Sequence, residues 1–356
     1  MRLSTALDYS KGPRELATRA KALEAAGIDI AWVAEAYTFD APSLMGYLAA
    51  VTERIQIGAG ILPIYSRTPT LMAMTAAGID ALSEGRCILG LGASGPQVIE
   101  GWHGVPYDRP LQRTREIIEV CRQVWAREAP LTYQGKAYTV PLPPEQGTGL
   151  GKALKIINRP VRARIPIWVA ALGEKNVALT AEMADGWLPI FYYPEKVKEV
   201  FGPSLDAWAA KRSADLGPLE ISAGGVLAIG EGAETKAILD FVRPMYALYI
   251  GGMGAKGKNF YNTLVTRYGF EAEAAEIQDL YLAGKKDEAA KAVPLELLEA
   301  TNLVGPEGYV KERIAAFAEA GVTMLNVTPI GDDPVRLVER VADWVHSTEG
   351  PRRGQA

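Results

Sequence analysis

Histidine and cysteine are scarce in this chain, with two of each in 356 residues. Cys87 and Cys121 build neither a disulfide framework nor a thiolate metal site. The first opens an apolar run and the second falls in an amphipathic helical pattern, so both read as small buried hydrophobes. Two distant histidines and no close carboxylate cluster leave nothing with metal-ligand spacing, and no metal is expected. Lysine and arginine form no block and the net charge is only −4, which argues against nucleic acid or an anionic membrane as the main partner. No uninterrupted apolar run approaches a membrane span. The N-terminal MRLSTALDYS has no charged segment leading into an apolar one, so a cytoplasmic protein with no membrane partner is expected. G-x-S-x-G is absent and Ser94 lacks a convincing triad partner, which makes a serine hydrolase a poor fit.

The chain does have the composition of an ordinary globular protein, with 48% hydrophobic and 22% charged residues and enough length for a full core. Short apolar segments at 2–9, 28–34, 54–60, 86–91, 165–171, 186–190, 221–229 and 322–329 read as strands, each followed by a helical pattern. Such alternation implies a parallel sheet covered by helices. The even spacing favours an α/β (β/α)8 TIM barrel, in one domain over 1–356, above a doubly wound sheet with a separate helical domain. Two insertions interrupt the rhythm. A hairpin and Pro/Gly-rich loop occupy about 127–164 after strand four, and helices occupy about 245–300 after strand seven. Polar residues gather just past the strand ends, at Asp8, Glu35, Ser66-Arg67 and Ser94 to Gln97, where ligands of α/β folds sit.

The stretch at 88–104, ILGLGASGPQVIEGWHG, contains G-x-G-x-x-G at Gly90-Leu91-Gly92-Ala93-Ser94-Gly95. A dinucleotide fingerprint belongs in the first βα turn, with an acidic residue about 20 positions on at the end of a second strand. Here it follows the fourth strand and the later acids, Glu116 and Glu119, lie in a helix. The fingerprint reading fails, and the glycines read instead as letting the backbone approach a flat ligand. A better phosphate site is Ala170 to Asn176 (AALGEKN), where a strand runs straight into a helix N-terminus. Glu35 reads as a proton donor or ring contact, or as the partner of an arginine such as Arg67. His103 reads as an acid/base group or as a residue that fixes its loop.

Several pieces together resemble one family. They are Glu35-Ala36-Tyr37, IGAGILPIYSRTP after strand three, LGLGASGPQVIEGWHGVPYDRPLQRTRE after strand four and WVAALGEKNVALTAEMADGWLP after strand five, with LYIGGMGAKGKNFYNTLVTRYGF and AVPLELLEATNLVG further on. The chain resembles the bacterial luciferase-like monooxygenase superfamily, most closely its coenzyme F420-dependent oxidoreductases. The resemblance implies hydride transfer at C5 of a deazaflavin held at the barrel mouth. It implies a non-prolyl cis peptide after strand three, at Gly60-Ile61, pressed against the ring. A cis bond there costs about 3 kcal/mol. By the same match Ala93, Ser94 and Gln97 line the ring or its ribityl chain. The loop Ala171, Leu172, Gly173, Glu174, Lys175 and Asn176 takes the phosphate, and Glu35 lies at the ring. Some sugar-phosphate dehydrogenases of the family follow that acid with histidine and carry a Glu after strand four. This chain has Ala36 and GPQ, so a small unsaturated or carbonyl compound becomes the expected substrate. An FMN-dependent monooxygenase and a non-catalytic flavin or deazaflavin carrier remain alternatives. A homodimer is expected from the family alone.

Overall fold

Eight apolar segments form parallel strands: β1 (Arg2–Leu7), β2 (Ile30–Val33), β3 (Gln56–Ala59), β4 (Cys87–Gly92), β5 (Ile167–Ala170), β6 (Gly186–Trp187), β7 (Glu220–Ile229) and β8 (Met324–Pro329). The computed structural model describes residues 1–7 and 11–347, so the expected Asp8 and Tyr9 lie outside the described residues. Each strand pairs with the next, and β8 returns to β1 with Arg2 opposite Met324, closing a ring. Strands covered on both faces should be apolar throughout, and every residue of β4 is buried. The barrel is therefore the expected one, with its insertions after β4 and β7. Two further parallel strands, Leu62–Pro63 beside β4 and Leu303–Gly305 beside β7, are too short to carry a periodic signal.

The inside of the ring is filled by Ile30 and Trp32 from β2, Ile88 from β4, Trp168 from β5 and Met324 from β8, with Leu188 packed against them. The two indoles meet with ring centroids 5.3 Å apart. Each needs a neighbour with no side chain. A Cβ on Gly58 would stand 2.2 Å from the Trp32 ring, and one on Gly186 would stand 2.1 Å from the Trp168 ring. The outer core lies between the strands and their covering helices. Ala41–Val51 and Pro69–Leu82 are typical of these. Each has proline in its first turn, and each is capped by a side chain, Asp40 accepting from the Ser43 amide and Thr68 from the Leu71 amide, the usual start signals. Cys87 and Cys121 are buried in this core, and burial pushes both thiols up. Among the described residues no helix is long and apolar enough to cross a membrane.

The insertion after β4 begins with helix Pro110–Ala126. The antiparallel pair Tyr133–Gln134 and Thr139–Val140 then folds back towards it. Glu116 holds the two together. Its buried carboxylate accepts the amides of Lys136 (2.7 Å), Ala137 (3.0 Å) and Tyr138 (2.8 Å) and the Gln112 side-chain amide (2.6 Å). Burial alone pushes this carboxyl up, but the hydrogen bonds outweigh it and hold it below the ordinary value. The insertion returns to the barrel base through Arg162, which pairs with the fully buried Asp80 and donates to the Cys87 carbonyl at 2.6 Å. After β7 the chain runs through helices Ala233–Ala247, Phe260–Arg267, Glu271–Leu282, Lys286–Lys291 and Leu295–Thr301 before rejoining the barrel helix Glu307–Glu319.

The tryptophan–glycine fit makes a contrast that denaturation can read. Gly186→Ala forces Trp168 to move and should cost about 1–3 kcal/mol, as overpacking does. Gly308→Ala, in an exposed helical turn with nothing within 4 Å of the new Cβ, should instead stabilise by about 0.5–1 kcal/mol. Urea unfolding of the two variants checks both signs.

Candidate active site at the barrel mouth

Past the end of β2, Glu35 is placed by its partners. Arg67 donates from Nη1 to Oε1 (2.6 Å) and from Nη2 to Oε2 (2.8 Å), and the Ala41 amide donates to Oε2 at 2.9 Å. Only 12% of the Arg67 side chain and 7% of the Glu35 side chain is exposed, so this is a buried, two-pronged pair. Of the two readings of Glu35, the arginine partner is the one the geometry displays. The pair ties the loop after β2 to the loop after β3, since Arg67 also donates to Ser66 Oγ at 3.0 Å.

Past β3 the chain crosses over β4. The Gly60 amide donates to the Val33 carbonyl (2.7 Å) and the Ile64 amide to the Gly92 carbonyl (3.0 Å). Two expectations are corrected here. The Gly60-Ile61 bond is trans, and among the described residues the cis bond is Val140-Pro141. The trans form is the ordinary state of a non-prolyl peptide, favoured by about 3 kcal/mol. Nor do the β4 glycines clear space for a ligand. A Cβ on Gly90 would lie 1.7 Å from the Ala59 carbonyl oxygen, and one on Gly92 would lie 2.3 Å from Ile61 Cδ1. The chain's own crossing after β3 takes that room.

Past β4, Ala93 and Ser94 are partly buried, and Ser94 is left-handed with φ 57°. A non-glycine residue there is uncommon and strained, and such strain gathers at functional sites. Gln97 is exposed on the short helix Pro96–Gly101. The loop that follows holds His103, whose Nε2 is buried with no hydrogen-bond partner among the described residues. Next to it Trp102 reaches across to Tyr37, ring centroids 6.4 Å apart, so the loops after β2 and β4 meet above the end of β3.

Past β5 lies the expected phosphate loop. Ala171 is buried and its carbonyl accepts from Trp187 Nε1 at 2.9 Å. Leu172 and Gly173 are partly buried and lead into helix Glu174–Met183, which no side chain caps. The Asn176 and Val177 amides both turn back to the Gly173 carbonyl at 2.9 Å, while those of Glu174 and Lys175 have no acceptor among the described residues. The buried Asn176 Oδ1 is likewise without a partner. Such a helix end suits an anion. Glu174 is exposed and faces Arg267 at 3.4 Å, Lys175 is exposed, and Phe260 of the β7 insertion lies over Gly173.

The structure thus brings Glu35, Gly60, Ile61, Ala93, Ser94 and the 171–176 loop onto the ends of four consecutive strands, with Gln97 and the Lys175 side chain exposed at the edge. Sequence reasoning missed the aromatic residues beside them, Tyr107, Phe191, Tyr249 and Tyr261. Phe191 carries a left-handed backbone, φ 53°, which no motif marks. The tyrosines of the helical insertion have no fixed spacing from the strands they approach.

A sequence profile of the luciferase-like monooxygenase family matches residues 1–324. The chain belongs to that family. A luciferase-like relative in Mycobacterium tuberculosis, whose name carries the words coenzyme F420-dependent oxidoreductase Rv3520c, is 43% identical over 342 residues, or 94% of this chain and 97% of the relative. Two solved structures share the fold. The coenzyme F420-dependent tetrahydromethanopterin reductase of Methanopyrus kandleri superposes with a TM-score of 0.77 at 23% identity, covering 98% of this chain and 99% of that one. An F420-dependent secondary alcohol dehydrogenase in complex with an F420-acetone adduct gives 0.75 at 16% identity, covering 97% and 98%.

Removing one member of the buried pair tests its weight in this luciferase-like barrel. Arg67→Ala leaves the Glu35 carboxylate without its cation and should cost about 3–5 kcal/mol. Replacing both residues by apolar ones of similar volume should recover most of that loss. Urea unfolding of the two variants gives the comparison.

Proposed function

We propose that this chain is an F420-dependent oxidoreductase that moves a hydride between the cofactor and a small carbonyl or unsaturated compound. The observation that carries the reading is the uncapped helix end after β5, with the open Glu174 and Lys175 amides and the orphaned Asn176 Oδ1. These groups fit the phosphate of F420 and a polar group beside it, and the names of the M. tuberculosis relative and of the two structural neighbours point to the same cofactor. When bound, F420 supplies the deazaflavin C5 as the hydride donor or acceptor.

The chain's own residues would then bind and orient. Gly173 to Asn176 hold the phosphate, Gly60 and Ile61 form the wall on one face of the ring, and Ala93 and Ser94 line its edge. Gln97 reaches the ribityl chain from the rim. The Glu35–Arg67 pair fixes the loops around the ring, and the buried, unpartnered Nε2 of His103 is the nitrogen for proton exchange. Ala36 and the GPQ loop lack the acid–base residues of sugar-phosphate dehydrogenases, which leaves carbonyl and unsaturated compounds.

Fluorescence titration with F420, with its phosphate-free deazaflavin riboside and with FMN tests the cofactor. We expect micromolar F420 binding, at least tenfold tighter than the riboside. Gly173→Val, which crowds Phe260 and the helix end, should abolish that difference. Tight FMN binding without F420 binding would support a flavin monooxygenase instead. F420 binding with no turnover of enones or aldehydes would leave a carrier.

We also propose that the protein forms a homodimer through the outer faces of Ala41–Val51 and Pro69–Leu82. The first helix has no charged residue, and the second has only Asp80, which is buried. Tyr47, Leu71, Met74 and Leu82 stand exposed on them. A charge-free apolar face pairs with its own copy without like-charge repulsion. Light scattering should give twice the chain mass for the natural protein and the monomer mass for Met74→Glu. A monomeric natural protein overturns the proposal.

A further inference from the structure

The aromatic residues that sequence reasoning missed form one group. Phe191 follows β6 in a left-handed conformation, rare for a bulky side chain. Its buried ring stacks on Tyr246 at 4.3 Å and meets Tyr249 and Tyr261 edge-on at 5.8 and 6.3 Å. The Tyr249 and Tyr261 rings are 4.8 Å apart and nearly perpendicular.

A single buried side chain sets that arrangement. Asn259 donates from Nδ2 to the carbonyls of Tyr249 (2.8 Å) and Ile250 (2.9 Å), and its Oδ1 accepts the amides of Tyr261 (2.9 Å) and Asn262 (3.1 Å). It thereby locks the π turn Leu248–Gly252 against helix Phe260–Arg267. π turns recur at functional sites.

Its surroundings place Tyr261 at the mouth. Its helix neighbour Phe260 covers Gly173 past β5, and its own ring meets Phe191 past β6. It also lies near enough to Tyr107 for the two phenols to interact electrostatically, and the Tyr107 hydroxyl donates to the Ser94 carbonyl past β4 at 3.4 Å. Tyr261 is only partly buried, and among the described residues nothing hydrogen-bonds its hydroxyl. Burial pushes its phenol up, with Tyr249 and Tyr107 adding to the shift, so it keeps its proton at ordinary pH.

We propose that Tyr107, Tyr249 and Tyr261, backed by the buried Phe191, form the substrate subsite, in which the Tyr261 hydroxyl donates a hydrogen bond to the carbonyl oxygen of a small, largely apolar ketone or enone. The inference rests on the deazaflavin lying over the ends of β3 to β5, which leaves the β6 side of the mouth for substrate. The four side chains include no cation, so they offer nothing to a carboxylate or phosphate substrate. Their ring faces and edges favour an apolar body, and one open donor selects an oxygen acceptor on it.

Ligand-observed NMR with cyclohexanone and its carbonyl-free isostere methylenecyclohexane separates the donor from the walls. Tyr261→Phe keeps the ring and should weaken cyclohexanone binding about five- to tenfold, the effect of one neutral hydrogen bond. Methylenecyclohexane binding, F420 binding and thermal stability should not change. Phe191→Ala should weaken both probes. Equal cyclohexanone binding by Tyr261→Phe and the natural protein overturns the inference, and so does loss of both probes together. If the natural protein binds no F420 yet Tyr261→Phe still discriminates between the probes, the cofactor reading falls and the subsite stands. If F420 binds and Tyr261→Phe does not discriminate, the reverse holds.

Discussion

A closed ring of eight strands must have its interior filled, and here Trp32 and Trp168 fill much of it because Gly58 and Gly186 stand aside. The exchange of one large side chain for one missing side chain on a neighbouring strand fixes strand spacing and register together. It also sets a floor: with the indoles and Ile30, Ile88 and Met324 packed below, polar chemistry has room only at the strand ends. The mouth is therefore built on rigid elements, as an oriented site requires.

Above that floor the polar groups divide into those with partners and those without. Glu35 and Arg67 satisfy each other and brace two loops. The Glu174 and Lys175 amides, Asn176 Oδ1, His103 Nε2 and the Tyr261 hydroxyl have no partner among the described residues. Buried polar groups are ordinarily hydrogen-bonded, and it is on these unpartnered groups at the C-terminal face that the proposed ligand reading rests. The division also separates residues that shape the site from residues that meet what it binds.

The barrel was legible because strand burial and helix periodicity are local signals. The strand-to-helix junction at Ala170 to Asn176 was legible for a similar reason, as strand and helix signals there follow each other directly. What the glycines of β4 do was not legible. Gly90 and Gly92 are small because Ala59 and Ile61, some thirty residues earlier in the chain, cross over them, and a pattern within 88–104 carries no trace of that crossing. Glu35 was ambiguous in sequence because its role depends on whether Arg67 reaches it. The aromatic group past β6 had no signal, since Phe191 and Tyr261 meet only after the helical insertion folds back over the barrel.

The clamp made by Glu116 bears on how the chain assembles. β4 and β5 are adjacent strands, yet the long insertion lies between them, and bringing their ends together carries a loop-closure entropy that grows with the logarithm of the loop length. Glu116 gathers the hairpin amides onto its own helix, and Arg162 anchors the end of the insertion at Asp80, close to the start of β4. The Glu116 contacts are the shorter-range of the two, about twenty residues apart against 82 for Arg162 and Asp80. The insertion is therefore tied within itself by Glu116 and back to the barrel by Arg162, which offsets in the folded chain part of the entropy of holding β5 beside β4.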